Sequence, residues 1–455
     1  MTRREHPETR VAARVSEVSS SEGERSPHRN RLAAIAAASL VIQLSVTLIS
    51  HQFLSAPELP DAVGYDRIGR VLASVWSSGG IPSVADVERI AGTRTWGTFF
   101  FVAAVYHFLG ANWLYVKLVF AAIASVIPVG AFLIGRSMGF SVKRAQFAAI
   151  TSMLWPTTFM WSAMGLKDSA ASAIAFLCLA GILSRRRIVA IGSACVGAAL
   201  LLPVRPAMAG ALLIAAVLAI RGLESAAGKC VRAVVLVAVV ALWILPVGQR
   251  VAGGTAVFSG TGDRYLIGNA GRVEIQGGLA DQISATVSPS NLAAAIASPL
   301  PWRWGEGSRT PYRWMYPGAT LWLVLLPAGV MGGFYLGKRS HAARVILAFT
   351  ITYFAVYYVT FIDAFSRQRM PVELVALMFA PMAFIYYPRR TIVITASWVC
   401  SLCVVALLSS GAITIPVFAL TCGGVLAVSL LRVRGERRKA GARFDSRLQV
   451  GGYRA

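Results

Sequence analysis

Acidic residues are scarce in this chain: Asp and Glu together number 20 in 455 residues, against 44 Lys and Arg and five His. Charged residues of all kinds make up only 14% of the sequence, while 56% is hydrophobic and the mean hydropathy is +0.63. So little charge leaves no room for a soluble domain of ordinary size between the apolar runs. Those runs are roughly 17–22 residues long and recur through most of the chain, the pattern of a polytopic helical membrane protein. Cysteine is scarce too. Cys178, Cys195, Cys400, Cys403 and Cys422 fall in apolar runs and Cys230 lies beside a basic loop, so no disulfide on an outer loop is implied. Cys400 and Cys403 lack a second ligand pair, and the five His form no cluster. The excess of positive charge, +24, is not pooled in one region but split into short clusters between apolar runs. That is the distribution of cytoplasmic loops rather than of a nucleic-acid surface, and it excludes nucleic acid as a partner.

Residues 1–31 carry seven Arg and a Ser-rich middle without apolar payload, and are expected to form a disordered cytoplasmic tail. The apolar run at 32–54 is too long for a signal-peptide core and reads as a retained first span. Residues 55–112 form a first outer loop. In it, positions 61–75 read as an amphipathic surface helix with Tyr65, Ile68, Leu72 and Val75 on one side. Gly79-Gly80-Ile81-Pro82 ends that helix, and Ser83 with Asp86 is placed to cap a second. Residues 95–109 are apolar but only about 15 long, too short to span with ease.

Charge settles that segment. If 95–109 crossed the membrane, Arg136, Lys143 and Arg144 would face outward. As a juxtamembrane helix it brings every later basic cluster to one side: Arg185 to Arg187, Arg221/Lys229/Arg232, Lys338/Arg339/Arg344, Arg389/Arg390 and a basic tail at 433–455. Further spans then fall at 113–135, 145–164, 169–184, 188–204, 206–220, 231–249, 317–337, 343–362, 371–387, 391–409 and 412–431. The expected fold is all-α, with about twelve transmembrane helices in a membrane domain over 32–432, juxtamembrane helices in the first outer loop, and both termini cytoplasmic. The largest outer loop is 250–316, rich in Gly, Ser and Thr at first and in Trp and Tyr later.

This topology gathers the scarce acids outside, among them Asp61, Asp66, Asp86, Glu88 and Asp168, with a few isolated cations: Lys117, Lys167, Arg205, Arg303, Arg367 and Arg369. Most of these read singly as solvated loop charges. Three groups stand out. Asp61 lies four residues before Tyr65, so a helix puts both on one face, with Asp66 next in sequence. Lys167-Asp168 follows a Pro156-containing run, where a helix-capping Asp is an equal reading. Ser366-Arg367-Gln368-Arg369-Met370-Pro371 reads as a tight outer turn, its arginines calling for an anionic partner, a phosphate or Asp363.

Together these motifs resemble the GT-C superfamily of polytopic glycosyltransferases that use polyprenyl-phosphate sugars, and within it the bacterial protein O-mannosyltransferases and lipid A aminoarabinose transferases. That family carries Asp-Glu-x-x-Tyr in its first outer loop. Here the stretch is Asp61-Ala62-Val63-Gly64-Tyr65, with Ala62 in place of Glu and Asp66 or Glu58 as substitutes. Pro156, Ser162, Lys167 and Asp168 match a second-loop pattern, and Arg367-x-Arg369-x-Pro371 and Pro299-Leu-Pro-Trp302 match later ones. The likeness covers about 33–390.

The resemblance implies an inverting hexosyl- or pentosyltransferase at the outer face of the cell membrane. Its donor is a polyprenyl-phosphate sugar, its acceptor a cell-envelope glycan, lipid or protein, and its other neighbours are membrane lipids. Such a transfer needs a base for the acceptor hydroxyl and cations for the departing phosphate. Asp61 is the expected base, with Asp66 as its alternate, and Asp168 orients the acceptor or joins Asp61 on a divalent cation such as Mg or Mn. Tyr65, Lys117, Lys167, Arg205, Arg367 and Arg369 are the expected substrate-binding residues. An O-antigen polymerase or ligase, or a transporter or flippase for a lipid-linked glycan, shares much of this plan and stays open.

Overall fold

The computed structural model describes residues 7–57, 59–91, 96–220, 265–268, 271–274, 296, 315–360 and 366–408. The expected spans at 231–249 and 412–431, most of the 250–316 loop with its Trp302, Trp304, Tyr312 and Trp314, and the basic C-terminal tail lie outside the described residues. The chain divides into two units, Met1–Leu212 and Leu213–Ala455.

In the first unit α1 runs Pro7–Phe53, so the segment expected to lack structure is helical from Pro7 onward and continues into the first apolar run. α2 (Pro60–Ser77) begins with Pro at its first position, where a missing N–H costs nothing, and Asp61 complements the positive end of the helix dipole. Ala62, Tyr65, Ile68, Leu72 and Ala73 form its buried face. Val75, expected on that face, points outward instead, because a straight helix drifts past it after Leu72. Each fully buried Ile or Leu of this face contributes roughly 1.5–3 kcal/mol. α3 (Val84–Ala91) opens with a reciprocal cap: the Ser83 N–H donates to Asp86 Oδ2 at 2.9 Å and the Asp86 N–H to Ser83 Oγ at 3.2 Å.

α4 (Gly97–Leu109) packs against α2. Its 13 residues extend only about 20 Å, short of a hydrocarbon core of about 30 Å. Next come α5 (Trp113–Ala124) and α6 (Ile127–Ser137), which together make one long apolar stretch, then α7 (Val142–Met153) and α8 (Pro156–Ala163). α7 and α8 separate at Leu154–Trp155, where Pro156 pushes Trp155 into an extended conformation. α9 (Lys167–Ile182), α10 (Arg187–Leu201) and α11 (Pro206–Ala219) follow. α1 rests on α5 and α8, while α6 packs on α7 and α9.

In the second unit a small antiparallel hairpin pairs β1 (Tyr265–Gly268) with β2 (Gly271–Glu274), the one departure from helix among the described residues. α12 (Met315–Arg339), α13 (His341–Thr360), α14 (Ser366–Tyr386) and α15 (Pro388–Leu408) follow. α12 and α14 approach closely through small residues. A Cβ added at Gly329 would meet Ala376 at 2.8 Å, and one at Gly332 would collide with the backbone of Phe379.

Among the described residues four stretches are long and apolar enough to cross a membrane: Asn30–Phe53, Trp113–Ser137, Pro317–Arg339 and Arg369–Tyr386. α4, α10 and α11 are apolar but shorter.

Candidate functional site

The region around Asp168 is built by a helix break. α8 ends in a Schellman turn: the Leu166 N–H donates to the Trp161 carbonyl at 3.0 Å and the Gly165 N–H to that of Ser162 at 2.9 Å. Gly165 has φ +70°, and the space a side chain would fill is taken by the Trp113 indole. The chain therefore re-enters helix at once, with Lys167 and Asp168 in the first turn of α9, both buried.

Asp168 does not cap its helix. The N-cap position is Leu166, without a side-chain bond, and the Asp168 carboxylate accepts a hydrogen bond and ion pair from Arg205. Arg205 stands just before Pro206, at the start of α11, so this pair ties the beginnings of two helices. Both side chains are largely shielded, and a buried pair of this kind is stable only while both partners are present. Arg205, expected to meet a phosphate, thus already neutralises Asp168. It also holds the carboxylate that was to share a divalent cation with Asp61. Among the described residues no group of three or more His, Cys, Asp or Glu could hold a metal ion. The expected Mg or Mn does not fit this arrangement.

Lys167 reaches back to the first outer loop. Its ammonium lies 5.8 Å from the centre of the Tyr65 ring, which meets Phe99 edge-on at 5.5 Å. Two of the three motifs singled out in the sequence are therefore in contact: the Asp61–Tyr65 turn of α2 and the Lys167–Asp168 turn of α9. Asp61, one turn before Tyr65, is half-buried, whereas Asp168 is 3% exposed. Ala62, where the resembled family carries Glu, is fully buried, so a second carboxylate there would have no access to solvent.

Asp66 has a different task. Five residues past Asp61, it sits about 140° further round the helix. Arg70 Nε donates to both its oxygens at 3.0 and 3.1 Å, and the Tyr106 hydroxyl donates to it from α4. Arg70 also donates to the Ala111 carbonyl at 2.9 Å and lies 5.2 Å from the Tyr106 ring centre. The bonded Asp66 carboxylate raises the Arg70 pKa above its ordinary value, and burial, with the same carboxylate, raises that of Tyr106. Asp66 clamps α2 to α4 and does not stand in for the missing Glu.

Lys117 is buried in α5 and donates from Nζ to the Leu54 carbonyl just past the end of α1, satisfying a helix-terminal acceptor. The opposite face of α5 lines an open apolar groove of about 540 Å3 with Leu109, Tyr115, Leu118, Ala122 and Val126.

In the second unit Arg369 lies within α14 rather than in a tight turn. Its Nε donates to Glu373 Oε1 at 2.9 Å, with both side chains fully buried. A further guanidinium N–H donates to the Ile296 carbonyl at 2.8 Å, the same carbonyl that accepts from Trp322 Nε1 at 2.8 Å, and the guanidinium stacks 5.2 Å from the Trp322 ring. Glu373 is thus a carboxylate partner of Arg369 among the described residues. The Arg367 side chain and Asp363 lie outside the described residues.

Comparison with protein families, with curated proteins and with solved structures finds no match.

Arg70, Tyr106 and Glu373 were missed from sequence. For Arg70 and Glu373 the signal was present, since Asp66/Arg70 and Arg369/Glu373 both stand at the i,i+4 spacing of helical ion pairs.

Proposed function

We propose that this protein is an integral-membrane glycosyltransferase that moves a sugar from a polyprenyl-phosphate donor to a cell-envelope acceptor on the outer face of the membrane. In this reading the chain crosses the bilayer about twelve times with both termini cytoplasmic. The observation that carries it is the contact between Tyr65 and Lys167, which brings an acid-bearing turn of the first outer loop against the acid-bearing turn at the start of α9. Asp61, the half-buried carboxylate, takes the proton of the acceptor hydroxyl. The buried Asp168–Arg205 pair positions the turn that carries Lys167, and Lys167 is the cation for the departing phosphate. Arg369, paired with Glu373, is given no part in this reading. The apolar groove beside α5 is of a kind that accepts an isoprenoid chain.

The test is transfer of labelled sugar from polyprenyl phosphate in reconstituted vesicles. Asp61→Asn should lower turnover roughly 10²–10⁴-fold, the usual contribution of a general base, with donor binding retained. Glu88→Gln should be silent. Transfer by Asp61→Asn at the parent rate removes Asp61 as the base. Movement of an intact lipid-linked glycan across the bilayer without any transfer would make the protein a flippase.

A further inference from the structure

The first span carries a line of polar side chains inside its apolar surroundings. Ser39, Gln43 and Thr47 recur every fourth residue of α1 and are all fully buried, and His51 continues the line to the end of the helix. α8 packs on this helix. Ser162 Oγ donates to Gln43 Oε1 at 2.7 Å, and Thr158, one turn earlier in α8, is fully buried as well.

The polar atoms of these residues are left unmatched as a group. Many helical hydroxyls among the described residues bond a carbonyl one turn back in their own helix, although those of Thr98 and Thr395, each alone on its helix, do not. Ser50 donates to Thr47 at 2.9 Å, Ser125 to Ala122 at 2.6 Å, Thr151 to Phe147 at 2.9 Å, Ser172 to Asp168 at 2.8 Å and Thr350 to Ile346 at 2.8 Å. The hydroxyls of Ser39, Thr47 and Thr158 do not, and no other group among the described residues bonds them. Gln43 Nε2 and His51 Nδ1 are likewise buried without a partner among the described residues. Exchanging the two ends of the Gln43 amide would only move the unmatched atom from nitrogen to oxygen. Three such hydroxyls and an amide on one seam are costly in an apolar interior unless something small and polar lies between them.

Spacing identifies the occupant. Side chains four apart on a helix stand roughly 5–6 Å from one another. One water molecule making two hydrogen bonds of about 2.8 Å spans that gap. The groups are uncharged and mix donors with acceptors, which suits water and gives an ion no charge to meet.

We propose that the seam between α1 and α8 is an internal hydration site: a file of bound water held by Ser39, Gln43, Thr47 and Thr158 that reaches the C-terminal end of α1 at His51. It does not depend on the transferase reading, since no residue of the seam takes part in it.

Two measurements test it, in the full-length protein. In a background with the six native cysteines replaced, Thr47→Cys and Gln43→Cys are treated in membranes with a small charged methanethiosulfonate. A thiol needs water to ionise, so both should react at least about tenfold faster than Val41→Cys and Leu48→Cys, on the exposed side of α1. The second is the thermal midpoint of Thr47→Val, which keeps the side chain's shape and deletes the hydroxyl. With water bound the midpoint should fall, whereas in a dry seam loss of an unmatched hydroxyl raises it. Reactivity no greater than at Val41→Cys, or a raised midpoint for Thr47→Val, overturns the proposal.

Discussion

Arg205 and Arg369 are both buried and both held by a carboxylate, yet the two pairs organise their surroundings differently. Asp168 and Arg205 lie 37 residues apart, so their bond fixes the start of α9 against the start of α11. Arg369 and Glu373 are one turn apart on α14, so their bond neutralises charge but holds no second element. The tertiary contacts of Arg369 include the Ile296 carbonyl and the Trp322 face. A local partner silences a charge before anything distant can use it. A distant partner makes the charge's position depend on two helices, which is what a positioning residue requires.

The contrast predicts a ranking of stability losses, read as thermal unfolding in detergent. Glu373→Ala should be the most damaging. It takes the Glu373 carboxylate from Arg369, whose side chain is fully enclosed, at a cost of about 3–5 kcal/mol. Arg205→Met should cost less, about 2–3 kcal/mol. The Asp168 carboxylate left behind sits in the first turn of α9, where the helix dipole offsets part of the loss. Adding Asp168→Ala to Arg205→Met should recover part of the stability. The reverse order of the two single variants, or no recovery in the double, would show that the pairs are held alike.

The smallest effect belongs to the half-exposed counterpart, the Asp66–Arg70–Tyr106 clamp. Tyr106→Phe removes one hydrogen bond and should cost about 1 kcal/mol at neutral pH. Its pH dependence is more telling. The folded state raises the Tyr106 pKa, so it favours the protonated phenol over the unfolded state. The stability from that preference is complete below the ordinary tyrosine value of about 10 and is lost as pH climbs above it. Alkaline unfolding should therefore be shallower in Tyr106→Phe than in the parent. Equal slopes would mean that the phenol contributes nothing through its proton.

How much of this was legible in the sequence follows the range of the interactions. α2 could be read from its apolar spacing and the Gly79-Gly80 stop, α3 from Ser83 and Asp86, and the short reach of 97–109 from its length, since each signal lies within a few residues. The Asp168–Arg205 bond could not be read, because nothing local reports a partner 37 positions away. Arg369 was misread for a subtler reason. Pro371 suggested a turn, but a proline in the second turn of α14 removes only one early hydrogen bond, and the helix forms around it. The buried place of Ala62 depends on α4 and could not be foreseen from α2 alone. The hairpin at Tyr265–Glu274 was missed because its Gly-rich surroundings read as loop.

The glycines of α12 carry a mechanical consequence. With Gly329 against Ala376 and Gly332 against the Phe379 backbone, no flexible side chain lies between the two rods at these points to act as a bearing. Sliding or rolling of one along the other would drive backbone into backbone within a fraction of a turn. A displacement of either helix must therefore carry α12 and α14 together, as a two-stranded beam.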